Sequence, residues 1–458
     1  MLGRAGMTAP PLPPRLPGGL LFGSGPDAMR DPLAFYTRAA RELGDVVRFR
    51  GAPGMRWFLV SHPSAVEHVL RGNQRNFRKP GRFAGPVRAV IGRGLLANEG
   101  ESWLLQRRLM QPAFHRRRLD AFVGQMSAAA GAAALRWEEH ARAGTPVDVV
   151  AEMLRTTLQV VGTTLFSTDI ATGADRVRAA VDQVLAHLNR RLNLPVTLPE
   201  WVPTARNRRF RRALGELDEV VYGMIRERRG ADGAGDDLLA MLLEARDADT
   251  GERMSERQVR DEAITLILAG HETTAAALAW SWYLLTRHPG ALGRLHREVD
   301  EVLGDRLPGI DDLPRLRWTR AVFEEALRLY PPAWALPREA VADDVVGGFR
   351  IPAGSLLVVC AWVTHRRPDL WAAPERFEPG RFLEEEGGGG IVPFSYYPFG
   401  AGARQCIGSH FALMEAQVVL ATLARRFRLA PLSGREVPPD ATFTLRPGGP
   451  ILARVERR

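Results

Sequence analysis

The chain reads as a mainly α-helical protein with small β-sheets, and three observations predict it. From Ser61 onward apolar residues recur at helical spacing through most of the sequence. One such run is unusually long: Ser255-Glu-Arg-Gln258 makes a capping box, and the periodicity continues to about Arg287, before Pro289-Gly290. At 1.5 Å per residue this helix would be roughly 45 Å long, enough to cross a whole domain. Strand signals, by contrast, are short and few.

Taken in order, residues 1–18 form a proline-rich N-terminal segment: Met1 to Ala9 is polar, and Pro10 to Pro17 is extended by its prolines. Val46 to Val60 alternates, with Arg48-Phe49-Arg50 and Trp57-Phe58-Leu59-Val60 separated by Gly51 and Gly54, the pattern of a strand pair. After the long helix, another runs from about Arg317 to Tyr330 and is stopped by Pro331-Pro332. Short strands follow around Val345 to Arg350 and Ser355 to Ala361, then irregular chain from His365 to Phe399, then a helical run from Phe411 through Leu423. No repeat is present, and no Gly/Ser or charged linker divides the sequence. Gly387 to Gly390 is short and lies between two motif-bearing stretches. Residues 19–458 therefore read as one unit.

The composition narrows the function. With 458 residues, 45% of them apolar, the chain can bury a large core. The formal charge of +10 raises the question of nucleic acid, but Lys79 is the only lysine. An arginine-dominated excess fits a GC-rich genome better than a nucleic-acid tail, so no nucleic-acid partner is expected. Two cysteines and no signal-like apolar run at the start predict a reducing, cytoplasmic setting. Cys360, in Ser355-Leu-Leu-Val-Val-Cys360-Ala-Trp362, reads as a small core residue. Ala263 to Leu285 has the length of a membrane span, but Glu272 sits in its middle, at a cost of about 3 kcal/mol in a bilayer. A buried helix of a large core is the better reading, and no membrane span is expected.

Three motifs carry chemistry. Phe399-Gly-Ala-Gly-Ala-Arg-Gln-Cys406-Ile-Gly408 is a glycine-rich loop whose backbone N–H groups can crowd a buried anion. Cys406 would be that anion, its thiolate favoured by a helix starting just after it. Ala269-Gly270-His271-Glu272-Thr273-Thr274 lies inside the long helix. There Gly270 weakens the helix and hydroxyls that bond back to the preceding turn can widen it locally. Glu325-Ala-Leu-Arg328 sets opposite charges on one helix face, by default a surface pair worth about 0.3 kcal/mol.

The pattern Phe-x-x-Gly-x-Arg-x-Cys-x-Gly, at Phe399, Gly402, Arg404, Cys406 and Gly408, resembles the heme-ligand loop of the heme-thiolate monooxygenases, the cytochrome P-450 superfamily. The other motifs follow in that family's order, and the resemblance spans most of the chain. It departs at Ala401 and Ala403, where the family commonly has glycine and proline. The resemblance implies a single-domain P-450 fold with the long helix crossing a heme b, soluble and bacterial in type. Cys406 would be the axial ligand, the thiolate that favours O–O cleavage at the iron. Arg404, Trp103, Arg107 and Arg338 would hold the heme propionates. Glu272 and Thr273 would be the acid-alcohol pair that delivers protons. Glu325 and Arg328 would close a structural triad with Arg381, preferred to Arg376 because His365-Arg-Arg-Pro368, Trp371, Pro374, Phe377 and Pro379-Gly-Arg381-Phe382 fit the longer pattern.

By position in the family, Ala269, Ala277, Ala333, Trp334, Ala335 and Leu336 would line a substrate pocket together with Thr273. Nearly all are apolar, so the substrate would be lipophilic: a fatty acid, terpenoid or polyketide, hydroxylated or epoxidised with one atom of O2. No flavin or nicotinamide fingerprint is present, since Gly400-Ala-Gly402 lacks a third glycine and a preceding strand. Electrons would come from a ferredoxin or flavodoxin with its NAD(P)H-dependent reductase, docked on Arg107, Arg108, Arg116, Arg117 and Arg118. Leu192 to Arg212 would form a lid over the entrance. Two rivals keep the heme: a peroxide-driven peroxygenase, which in this family replaces the acid-alcohol pair, and a non-enzymatic heme sensor, which would consume no reductant.

Overall fold

The computed structural model describes the chain apart from residues 1–9, 20–22, 52–53, 168–173, 194–197, 231–236, 248, 387–389 and 433. Its contacts gather into two compact units, each discontinuous in sequence: Met1–Phe83 with Ala333–Arg376 and Gly390–Cys406, and Ala84–Pro332 with Phe377–Gly389 and Ile407–Arg458.

The first unit is built on a sheet. Its strands are β1 (Val46–Arg50), β2 (Arg56–Val60), β3 (Phe77–Arg78), β4 (Leu336–Ala340), the pair β5 (Asp344–Val346) and β6 (Phe349–Ile351), and β7 (Leu356–Val359). The main sheet runs β1-β2-β7-β4-β3, and β5 pairs only with β6. The alternation read in the sequence sets the β1/β2 register, Val46 opposite Val60 and Arg50 opposite Arg56. β7 lies parallel to β2, and all four of its residues are buried. Phe58, Val60, Leu357 and Val359 face one apolar cluster, while Val47, Leu59 and Val358 face another. A strand covered on both faces reads as a continuous apolar run. The proline-rich stretch is extended beside β1, where Leu16 N–H donates to the Arg48 carbonyl and Arg48 N–H to that of Pro14, each at 2.9 Å. The strand expected around Val345 to Arg350 is instead a hairpin, turning at Gly347-Gly348 with φ of +57° and +81°.

The second unit is helical. It holds α1 (Gly100–Met110), α2 (Val149–Phe166), α3 (Ala174–Asn193), α4 (Glu256–Arg287), α5 (Arg317–Leu329) and α6 (Ser409–Arg426). α4 is the long helix of the sequence reading, 32 residues, with both halves of the Ser255/Gln258 capping box formed. It is buried on nearly every face, as a central core helix must be. Among the described residues no helix is long and apolar enough to cross a membrane. α4 packs on α2 at Gly270, where even a methyl group would sit 3.2 Å from Val161 Cγ2. The Thr157 hydroxyl donates across to the His271 carbonyl at 3.0 Å. A hairpin, β8 (Pro439–Ala441) and β9 (Leu445–Pro447), follows α6. Leu445 N–H donates to the Pro332 carbonyl just beyond α5. The expected lid includes residues 194–197, which lie outside the described residues, as do Met1 to Ala9 and most of Gly387 to Gly390.

Near its start α4 also ties down the turn before α1. Asp261 accepts from Arg93 N–H at 2.8 Å and Glu262 from Leu95 N–H at 2.9 Å. Burial pushes the Glu262 carboxyl up to about 8, with Asp261's charge adding, against the Leu95 hydrogen bond. The folded protein thus holds this proton more tightly than the unfolded chain does. The stability it contributes is full below about 4.5 and lost as pH rises through 8. We expect the wild-type melting temperature to fall across that window, by about 1 kcal/mol of stability per pH unit. Glu262→Gln should make the profile shallower, leaving the part due to Glu272, Glu324 and Glu415, whose carboxyls burial also pushes up. Equal slopes in thermal melts of the two proteins would show that another group titrates.

Candidate functional site

In the first unit the segment 392–406 is held before the thiol is reached. Tyr397 shares a hydrogen bond with the Thr364 hydroxyl, and its N–H donates to His365 Nε2, both at 2.9 Å. Gly402 has φ +68°, and a Cβ there would lie 1.9 Å from the Leu70 carbonyl oxygen, so only glycine lets the loop approach this closely. Ala403 N–H donates to Gln74 Oε1 at 3.0 Å, and Cys406 N–H closes the loop on the Phe399 carbonyl at 2.8 Å. The Cys406 side chain is exposed on the polypeptide, where a group brought from outside the chain can reach it. Cys360 is the opposite case: burial pushes its thiol up to about 12 and it is inert core.

The same unit carries Arg404, half-buried, and Arg338, which is buried on β4 and donates to its own neighbour's carbonyl at Pro337, 2.9 Å. Ala333, Trp334, Ala335 and Leu336 are half-buried. Leu336 packs with Ala401 of the cysteine loop on one apolar cluster, whereas Trp334 and Ala335 pack on the cluster around Phe35 and Tyr36.

In the second unit α4 opens at one place. Ala269 is exposed and Gly270 and Thr273 are half-buried, in a helix otherwise buried before and after them. Thr273 Oγ donates to the Ala269 carbonyl at 2.6 Å, the back-bond expected of a hydroxyl there, yet the helix stays continuous and no widened turn forms. Ala277, one turn on, is buried. Glu272 points elsewhere. Its Oε1 accepts from Thr444 Oγ1 at 2.9 Å and lies 3.9 Å from Arg446 Nη1. Burial raises its proton affinity, Thr444 and Arg446 oppose that, and Asp182 and Asp440 add to it. The acid and the alcohol thus sit side by side in sequence but turn to different partners.

Glu325 and Arg328 are both fully buried and paired twice, at 2.7 and 2.8 Å. Glu325 Oε1 also accepts from Glu378 N–H at 2.9 Å and lies 3.4 Å from Arg381 Nε. The structure therefore brings Glu325, Arg328 and Arg381 together, in a buried cluster rather than a surface pair, and leaves Arg376 exposed. On α1, Trp103 is buried and Arg107 half-buried one turn later. Arg108, expected on a docking face, is taken by Asp247 at 3.0 Å and Asp249 at 2.7 Å, which leaves Arg116, Arg117 and Arg118 exposed. Sequence reading misses Gln74, Thr444 and Arg446, for none carries a local signal.

Among the described residues no group of three or more His, Cys, Asp or Glu side chains could hold a metal. A single exposed thiol on a rigid glycine loop fits a metal that brings its other ligands with it, as the iron of a porphyrin does. The sequence matches the cytochrome P450 family over residues 10–453. The chain belongs to the cytochrome P450 family. It is 39% identical to cyclooctatin synthase of Streptomyces melanosporofaciens, over 94% of this chain and 93% of that protein. It is 38% identical to cyclooctat-9-en-7-ol 5-monooxygenase of the same organism, over 88% of this chain and 86% of that one. With pentalenene oxygenase of Streptomyces avermitilis it shares 37%, over 91% of each. The crystal structure of the cytochrome P450DA heme domain superposes with a TM-score of 0.89 at 29% identity, covering 98% of this chain and 99% of that one. The mainly helical architecture with small sheets is the P450 fold, and the protein is a P450 monooxygenase with a heme-thiolate cofactor.

Proposed function

We propose that this P450 is a cytoplasmic monooxygenase that hydroxylates or epoxidises a terpenoid, with heme b on Cys406. Bound heme would supply dioxygen activation and transfer of one oxygen atom to the substrate. Cys406 Sγ would hold the iron, and Arg338, Arg404, Trp103 and Arg107 the propionates, arginine forks matching carboxylates. The observation that carries the proton-delivery reading is the one opening in α4. There Thr273 Oγ is reachable from outside the helix while Ala269 and Gly270 offer no side chain that competes for protons. Glu272 Oε would hold a proton and Thr273 Oγ would pass one on, the pair that peroxide-driven members lack.

The terpenoid reading rests on relatives named for a cyclooctatin alcohol and for pentalenene, together with the apolar residues Ala269, Ala277, Ala333, Trp334, Ala335 and Leu336. Electrons would come from a ferredoxin or flavodoxin with its NAD(P)H-dependent reductase, docked at Arg116, Arg117 and Arg118. Titrating the heme spectrum with terpenoids, fatty acids and polyketides tests the substrate class. Terpenoids should give the low-micromolar spectral shift; a tighter response to fatty acids would overturn it. Thr273→Ala should keep heme and substrate binding but divert reducing equivalents to peroxide. Unchanged product per reductant would remove Thr273 from the proton path.

A further inference from the structure

Glu272 is held from outside its own helix. The β8/β9 hairpin reaches it with two side chains: Thr444, itself buried, donates from Oγ1 at 2.9 Å, and Arg446 sets a guanidinium 3.9 Å away. Arg446 is partly exposed and is paired on its other side with Asp440 at 3.2 Å. The hairpin tip is pinned independently, because Phe443 N–H donates to Asn189 Oδ1 on α3 at 3.2 Å. Asp182, also on α3, adds a second negative charge near Glu272. The carboxyl of the proton-delivering pair therefore sits between a buried hydroxyl and a solvent-facing cation, turned away from Thr273.

We propose that Thr444 and Arg446 are positioning residues for Glu272: they hold its carboxyl in an outward position where it takes a proton from bulk water, and its release from Thr444 lets it turn toward Thr273. The inference rests on the Glu272–Thr273 reading above. The relay leaves both side chains as they began: a hydrated proton from bulk solvent at the Arg446 head protonates the Glu272 carboxylate, Glu272 gives that proton to Thr273 Oγ, and Thr273 releases its own hydroxyl proton, which the dioxygen reduction supplied by bound heme would consume. Arginine stays charged throughout and orders the acid rather than donating to it. One donor and one cation stabilise the ionised carboxyl, and burial with Asp182 and Asp440 stabilises the neutral one. Such opposition keeps a buried acid able to exist in both forms.

The test uses the heme-loaded protein with a spectral substrate and two readouts. The first is an infrared titration of the Glu272 carboxyl band, assigned by its loss in Glu272→Gln. The second is product formed per reductant consumed. Thr444→Val and Arg446→Leu should each move the band's midpoint to higher pH, since each removes a group that favours the charged form. Each should lower coupling roughly tenfold, part of the hundredfold or more that a positioned acid provides. Thr444→Ser should restore both. If Glu272→Gln uncouples the enzyme but the hairpin variants keep the wild-type midpoint and coupling, this inference falls and the pair survives. Loss in Thr444→Val and Thr444→Ser alike, tracking only the melting temperature, would show a merely structural hairpin and overturn it. A fully coupled Glu272→Gln would bring down the pair and this inference with it.

Discussion

Glu325→Ala should yield little folded protein. The substitution leaves the Arg328 guanidinium fully buried without its carboxylate, strips the acceptor from Glu378 N–H, and removes the anion beside Arg381. Breaking a buried pair by removing one partner costs about 3–5 kcal/mol, because the remaining charge stays desolvated. That is a large part of the roughly 5–15 kcal/mol that separates folded from unfolded chains. The loss should fall first on the stretch from Phe377 onward, whose backbone is tied to Glu325 at Glu378. Arg376→Ala is the control: the side chain is exposed, and an effect within about 0.5 kcal/mol is expected. Denaturant unfolding and soluble yield of the two variants decide the point. A Glu325→Ala protein as stable as wild type would show that the buried cluster is not what holds this segment.

The same cluster shows what the sequence could and could not convey. α4 was legible almost to the residue, because its capping box and the Pro289-Gly290 stop are local and its apolar run is long. The β1/β2 pair was legible for the same reason, since alternation is a local signal. By spacing alone Glu325/Arg328 looked like an ordinary surface pair, for burial depends on what packs over α5 and no short window contains that. The cysteine loop was legible only in part: its glycines announce a close backbone approach, but what they approach, Leu70 and Gln74, lies more than three hundred residues earlier in the chain. Thr444 and Arg446 were missed altogether. Thr444 meets Glu272 across 172 residues, Arg446 lies two residues further on, and nothing around them resembles a motif.

Replacing Cys406 should have the largest effect on function while sparing the fold. The loop is positioned by the Cys406 N–H bond to Phe399, by Ala403 on Gln74, and by the fit of Gly402 against Leu70, none of which uses the thiol. Cys406→Ala should therefore fold with wild-type stability, retain heme poorly, and lose monooxygenase activity altogether. Gly402 sets the contrast, since a side chain there would disturb the loop with the thiol still in place. The measurement that tests the central claim most directly is the spectrum of the reduced, carbon-monoxide-bound protein. Wild type should show the red-shifted band of a thiolate-ligated heme, and Cys406→Ala should lack it. Absence of the band in wild type, or its persistence in Cys406→Ala, would contradict Cys406 as the iron ligand.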